Sequence, residues 1–180
     1  MTIQNIISGS SIVSTGLEAI EEQKEREEKK NNVIIFNIPE STTEDTNDAL
    51  KEDIKMVKEV LAEVHPSIQN VQIDENNTKR LGYKKKDHTR PIKIQFQENT
   101  TKGQIFRNSA KLRGHEKFSK VNISSDKTRR ELQADKKLKE TLLAERALRP
   151  DDDLIIHKGT IIKRADKPAT RVHPGLQRKD

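Results

Sequence analysis

Apolar residues in this chain come in short, separated bursts. Val33-Ile34-Ile35-Phe36-Asn37-Ile38 and Arg90-Pro91-Ile92-Lys93-Ile94-Gln95-Phe96 are rich in β-branched and aromatic side chains and read as strands. A period of two turns Val33, Ile35 and Ile38 toward a core and Ile34 and Phe36 away from it. In the second strand it turns Ile92, Ile94 and Phe96 inward and Lys93 and Gln95 outward. Between them Leu50, Ile54, Val57, Leu61 and Val64 form a helical stripe, with Thr43, Asp45 or Thr46 as its cap and Pro66 as its stop. A further strand falls within Val71–Tyr83, and Lys84 to Thr89 forms a polar hairpin loop. Residues from about Thr101 to Arg113 predict a helix with Ile105, Phe106, Ser109 and Leu112 on one face and Gly114 as its C′ residue. Lys120–Ile123 predicts a last strand. The order is β-α-β-β-α-β, an α+β domain with an antiparallel sheet and two helices.

The ends differ from this centre. Ile3, Ile6, Val13, Leu17 and Ile20 fit alternating a and d sites of a heptad, and Glu18 to Lys30 is helical but polar on every face. That pattern suits the end of an oligomerising coiled coil or a solvated helix. Asp126 to about Ala147 reads as a long helix broken by Pro150 and Asp151-Asp152-Asp153. A hairpin around His157-Lys158-Gly159 follows, joining Leu154-Ile155-Ile156 to Thr160-Ile161-Ile162. The chain thus divides into an N-terminal helix (1–30), the βαββαβ domain (31–124), a helix-plus-hairpin domain (125–164) and a disordered basic tail (165–180).

Only 31% of the 180 residues are hydrophobic and 36% are charged, too few apolar groups for one core spanning the whole chain. There is no cysteine, which excludes disulfides, thiolate metal sites and a cysteine nucleophile. The longest apolar run is four residues, Val33–Phe36, so no membrane association is expected. Glycine-rich phosphate loops, HExxH and nucleophile-elbow motifs are missing, and the five histidines are scattered. Neither an enzyme, a metal, a cofactor nor a small-molecule substrate is expected. Charge is segregated: residues 40–75 carry a net −7 and residues 79–130 a net +12 within an overall +6. Such polarity is the footprint of a phosphate-binding surface, or of a solvated face without a partner.

The candidate nucleic-acid contacts follow. Phe36 is a stacking platform on the open sheet face, Gln95 lies beside it, and Lys79, Arg80 and Lys93 are phosphate ligands. Lys84, Lys85, Lys86 and Arg90 sit at one end of the same sheet, and Arg129, Arg130 and Lys137 lie on one side of the long helix.

An ordered series of motifs adds to this reading. It runs from Lys29-Lys30-Asn31-Asn32-Val33-Ile34-Ile35-Phe36-Asn37-Ile38-Pro39-Glu40 through Lys79-Arg80-Leu81-Gly82 and Arg90 to Phe96. It continues through Asn108 to Gly114, Ser125-Asp126-Lys127-Thr128-Arg129 and Ile155 to Arg164. The series resembles the first-open-reading-frame protein of LINE-type non-LTR retrotransposons, over about residues 24–164. The resemblance implies a trimerising coiled coil, an RNA-recognition-motif (RRM) domain and a small C-terminal domain. It also implies binding of single-stranded RNA, with single-stranded DNA as a second ligand, strand-annealing chaperone activity without catalysis, and a cytoplasmic ribonucleoprotein with a nuclear alternative. By motif, the family's basic residues carry onto Arg80, Arg90, Arg129 and Arg130. Two features depart from the pattern. Pro91 and Lys93 stand where RRM domains usually carry aromatics, so binding is expected to be mainly electrostatic with low sequence selectivity, and the coiled coil is short. The alternative is a protein-interaction scaffold, in which Phe36 and Ile34 would be covered by another element.

Overall fold

The computed structural model describes residues 4–64 and 71–168, with the side chains of residues 4–15 and of Asn99 outside the description. The heptad positions Ile3, Ile6 and Val13, the expected stop at Pro66 and most of the basic tail therefore lie outside the described side chains. The chain forms two compact units, residues 1–128 and 129–180.

The first unit begins with helix α1 (Gln4–Lys29), followed by strand β1 (Asn32–Phe36), helix α2 (Thr46–Val64), strands β2 (Thr78–Arg80) and β3 (Ile92–Gln95), helix α3 (Asn99–Asn108) and strand β4 (Asn122–Ser125). The strands form one antiparallel sheet in the order β2-β3-β1-β4. Its register sets Ile34 opposite Lys93 and Ser124, Lys79 opposite Lys93, and Asn32 opposite Gln95. The fold is mixed α+β, with the β-α-β-β-α-β element order of the sequence analysis.

The core lies on one face of the sheet. Val33, Ile35, Ile92 and Ile94 are fully buried against Val57, Val60, Leu61 and Val64 of α2 and against Ile105 and Leu112, with Phe96 and Phe118 closing the ends. Burying each such side chain contributes about 1.5–3 kcal/mol. Asp45 caps α2, its Oδ1 accepting from the backbone N–H groups of Asn47 (2.8 Å) and Asp48 (2.9 Å). Those bonds hold the Asp45 carboxyl below its ordinary range. α3 begins at Asn99 and gives way to a 3₁₀ segment, Ser109–Gly114. Gly114 is not in the left-handed region, so the expected C′ role is not taken; the tighter 3₁₀ turn ends the helix instead. The last strand forms two residues later than expected, at Asn122 instead of Lys120.

α1 is tied to this unit at its C-terminal end. Lys29 Nζ donates to the Lys127 carbonyl (2.9 Å) and lies 3.6 Å from Asp126, and the Thr128 hydroxyl donates to Glu22 (2.7 Å). Asp126 and Thr128 are thus occupied before the next helix starts, which places its beginning at Arg129 and not at Asp126.

The second unit holds helix α4 (Arg129–Leu148) and a hairpin of β5 (Leu154–His157) and β6 (Thr160–Lys163). Lys158 and Gly159, at φ +49° and +78°, make the two-residue turn that matches the strands' twist. Its apolar packing is thin. Leu154 is the one described hydrophobic side chain here that is fully enclosed, while Leu132, Leu143 and Leu148 of α4 are exposed. Polar bonds compensate in part. The Arg146 guanidinium donates twice to the Leu154 carbonyl (2.6 and 3.1 Å). Asp152 pairs with Lys163 (2.7 Å) and Asp153 with Arg164 (2.6 Å), so these acids act as a helix-stop loop with bound cations. Arg164–Asp166 forms a 3₁₀ turn, so the region expected to be a disordered tail from residue 165 begins with ordered backbone.

Candidate nucleic-acid interface

β2 carries two adjacent basic residues, Lys79 and Arg80, and a strand's alternation sends them to opposite faces. Pairing of Arg80 with Ile92, whose side chain is in the core, turns Arg80 inward; pairing of Lys79 with Lys93 turns Lys79 outward. Arg80 is therefore not a phosphate ligand. Its side chain is 6% exposed and all five N–H donors are used. Nε and Nη2 grip the Asp53 carboxylate (2.9 and 2.6 Å). Nη1 donates to the carbonyls of Ile38 (2.9 Å) and Arg90 (2.6 Å), and Nη2 also to that of Pro39 (2.7 Å). One guanidinium thus joins α2 to β2, to the exit from β1 and to the entry into β3.

Arg90 is also committed. Glu40 accepts from its backbone N–H (2.8 Å), Nε (3.1 Å) and Nη2 (2.9 Å). Hydrogen bonding to Arg90, and the nearby Arg80 charge, bring the Glu40 carboxyl down to about 2. Arg90 keeps some exposure, yet its charge is already neutralised by a bidentate partner. The two arginines carried over by motif act within the fold.

The outward face holds the remaining candidates. Lys79, Lys93 and Gln95 point from it with no side-chain partner among the described residues, and Phe36 is 36% exposed at the end of β1. Lys79 and Lys93 stand directly opposite one another. Like charges so placed disfavour the pairing, by roughly 0.2–1 kcal/mol, unless an anion lies between them. Ile34 departs from expectation. Alternation puts it on this face, yet it is only 6% exposed, so the centre of the face is not open. Asn37 (φ +64°) turns the chain out of β1 just beyond Phe36, and its amide donates to the Lys120 carbonyl (2.8 Å).

Lys84, Lys85 and Lys86 are exposed in the loop joining β2 to β3, with one bridge, Lys85 to His88, closing it. Lys84 Nζ donates to the Ser41 carbonyl (3.2 Å). The loop and Glu40 line a hollow of about 450 Å³. Arg129, Arg130 and Lys137 are exposed on the first half of α4, in the second unit. Among the described residues no group of three or more His, Asp or Glu could hold a metal, and no helix is long and apolar enough to cross a membrane. His115 stacks on Phe118 (4.8 Å between centroids) while its Nδ1 accepts from the Lys117 backbone (3.1 Å).

Asp53 was not among the sequence candidates. The signal was there: Asp53 is four residues before Val57 and eight before Leu61, on the buried stripe of α2, and a buried carboxylate demands a cation. No protein-family model matches the chain, and no curated protein matches it significantly.

Proposed function

We propose that this protein binds single-stranded RNA, and single-stranded DNA secondarily, through the outward face of its four-stranded sheet, as a chaperone-like protein of non-LTR retrotransposon origin. The observation that carries this reading is the Lys79–Lys93 pair, two cations set opposite each other in the sheet with no side-chain partner among the described residues, whose repulsion a bound anion would relieve. The sheet order β2-β3-β1-β4 with both helices on the opposite face is the arrangement expected of an RRM-like domain. Lys84, Lys85 and Lys86 extend the positive surface from one end of the sheet, and Phe36 offers one ring for stacking. With a single exposed aromatic on the face, affinity rests mainly on phosphates and sequence selectivity is low. Binding, not catalysis, is the activity. In the second unit Arg129, Arg130 and Lys137 are exposed on α4 and offer phosphate contacts of their own. Exposed Leu17 and Ile20 on α1 suit self-association, a trimer by the resemblance.

One observation favours the other reading. Ile34, at the centre of the face, is covered, as a scaffold that docks a protein element would require. Anisotropy titration with unstructured single-stranded RNA, single-stranded DNA and duplex, each at two salt concentrations, separates the two. Salt-sensitive binding that favours single strands is expected. Absence of binding at low salt would leave the protein-interaction scaffold standing.

A further inference from the structure

At one end of the sheet the chain encloses a hollow of about 460 Å³ whose lining is dominated by side-chain amides: Asn31, Gln72, Asn76, Asn77, Gln95 and Gln97. Some of these amides build the wall. Asn77 donates to the Gln72 carbonyl (2.8 Å) and accepts from the Asp74 backbone (3.0 Å), Asn31 donates to the Gln97 carbonyl (3.1 Å), and Gln72 donates to Asp74 (2.6 Å). Others are left over. The side chains of Gln95 and Gln97 are exposed and have no hydrogen-bond partner among the described residues, whereas the exposed Asn76 amide bonds to Asp74. The Asn31 Oδ1 is enclosed without a hydrogen bond.

The charge of the hollow narrows what it can hold. Its one ionisable group is Asp74, which accepts from the backbone of Asn76 (2.9 Å) and whose carboxyl is held below its ordinary range by that bond. A carboxylate that stays charged repels phosphate, so the lysines and this hollow cannot serve the same part of a ligand. A neutral group with donors and acceptors fits. Gln95 is two residues from Lys93 on β3, about 7 Å along the strand, so the hollow adjoins the Lys79–Lys93 pair. Unstacked bases in single-stranded RNA are read on their edges by groups of this type.

We propose that the amide-lined hollow receives one unstacked nucleobase from a strand whose phosphates lie on Lys79 and Lys93, and that it favours a base carrying an exocyclic amino group over uracil. Asp74 accepts from the amino group, as acidic side chains accept from cytosine N4, and the free amides of Gln95 and Gln97 complete the edge. This inference rests on the proposed nucleic-acid binding and adds one selective position to an otherwise phosphate-driven contact.

The test compares oligocytidylate and oligouridylate of equal length by anisotropy, with the full chain and with an Asp74→Asn variant, which keeps the side chain's size but loses the charge that favours an amino donor. On the base edge the two pyrimidines differ at position 4, an amino donor against a carbonyl acceptor, and at N3, an acceptor against an N–H donor. The full chain is expected to bind oligocytidylate about tenfold more tightly, within the range for one well-made base-edge contact, and the variant to bind the two alike. Salt-sensitive binding that is equal for both oligomers in the full chain would overturn the base pocket while leaving nucleic-acid binding intact. A preference that survives in the variant would overturn this location. No binding of either oligomer at low salt would overturn both proposals.

Discussion

Lys79 and Arg80 are neighbours on one three-residue strand, yet they belong to opposite economies. Arg80 faces the helices, is enclosed, and fills every donor with a carboxylate or a carbonyl. Lys79 faces away, is exposed, and stands opposite another cation, with no side-chain partner among the described residues. The same charge is structural on one face and unspent on the other. Basic composition is therefore a poor guide to binding until the facing of each residue is known. The pattern repeats along the chain: Arg90 is held by Glu40, and Arg146 is held by the Leu154 carbonyl, whereas Lys85 and Lys86 are open.

The contrast can be broken most severely at Arg80. Arg80→Ala leaves Asp53 enclosed without its cation and three carbonyls without their donor, and is expected to cost about 3–5 kcal/mol in urea unfolding. Arg80→Lys should recover little of this, because an ammonium cannot reproduce the planar fork. Full stability in Arg80→Ala would show that the guanidinium is not the pin described here.

Acid titration probes the neighbouring pair more gently. Glu40 has an ordinary carboxyl pKa of 4.5 when unfolded and about 2 when folded, because Arg90 bonds the charged form. A depressed carboxylate stabilises the fold above the unfolded value and ceases to do so as pH falls through the folded one. The contribution, about 2 kcal/mol after allowance for solvent screening, is expected to be complete above about pH 5 and to fade between about pH 4.5 and 2. Comparison with Glu40→Gln isolates it: the variant should be less stable at neutral pH and show a flatter loss across that window.

The hairpin of the second unit gives a smaller effect. Gly159 sits at φ +78° with open space around its Cα, so Gly159→Ala meets no clash but must adopt a left-handed backbone. A loss of about 1 kcal/mol is expected, read as faster amide exchange in β5 and β6. Smallest of all is the stability change in Lys79→Ala/Lys93→Ala. Removing opposed like charges should leave the unfolding free energy in urea unchanged or raise it slightly, by less than about 0.5 kcal/mol.

Much of the fold was legible in the sequence where the pattern was long or strictly alternating. The α2 stripe placed Val57, Leu61 and Val64 correctly in the core because an i, i+4, i+7 pattern has one buried face whatever the partner. β3 was equally plain, since Ile92, Ile94 and Phe96 alternate with polar residues. β2 was not. A three-residue strand has too few alternations to set its facing, which came instead from its register with β3. Both Lys79 and Arg80 were therefore assigned to phosphate, although alternation allows only one of two neighbours to face outward. Ile34 failed for a different reason: facing outward and being open are separate properties, and only the three-dimensional surroundings decide the second. The amide hollow draws on residues from 31 to 97 and has no linear signature at all.

The central claim is that Lys79 and Lys93 hold phosphate while Arg80 holds the fold. The most direct measurement is the salt dependence of single-stranded RNA affinity for the full chain and for Lys79→Ala/Lys93→Ala, with urea unfolding of both. Loss of two phosphate contacts should flatten the log–log salt slope by about 1.4 and weaken binding at low salt by about tenfold or more, with the unfolding midpoint unmoved. An unchanged slope and affinity in a folded double variant would contradict the account and return the Lys79–Lys93 part of the outward face to the status of a solvated surface.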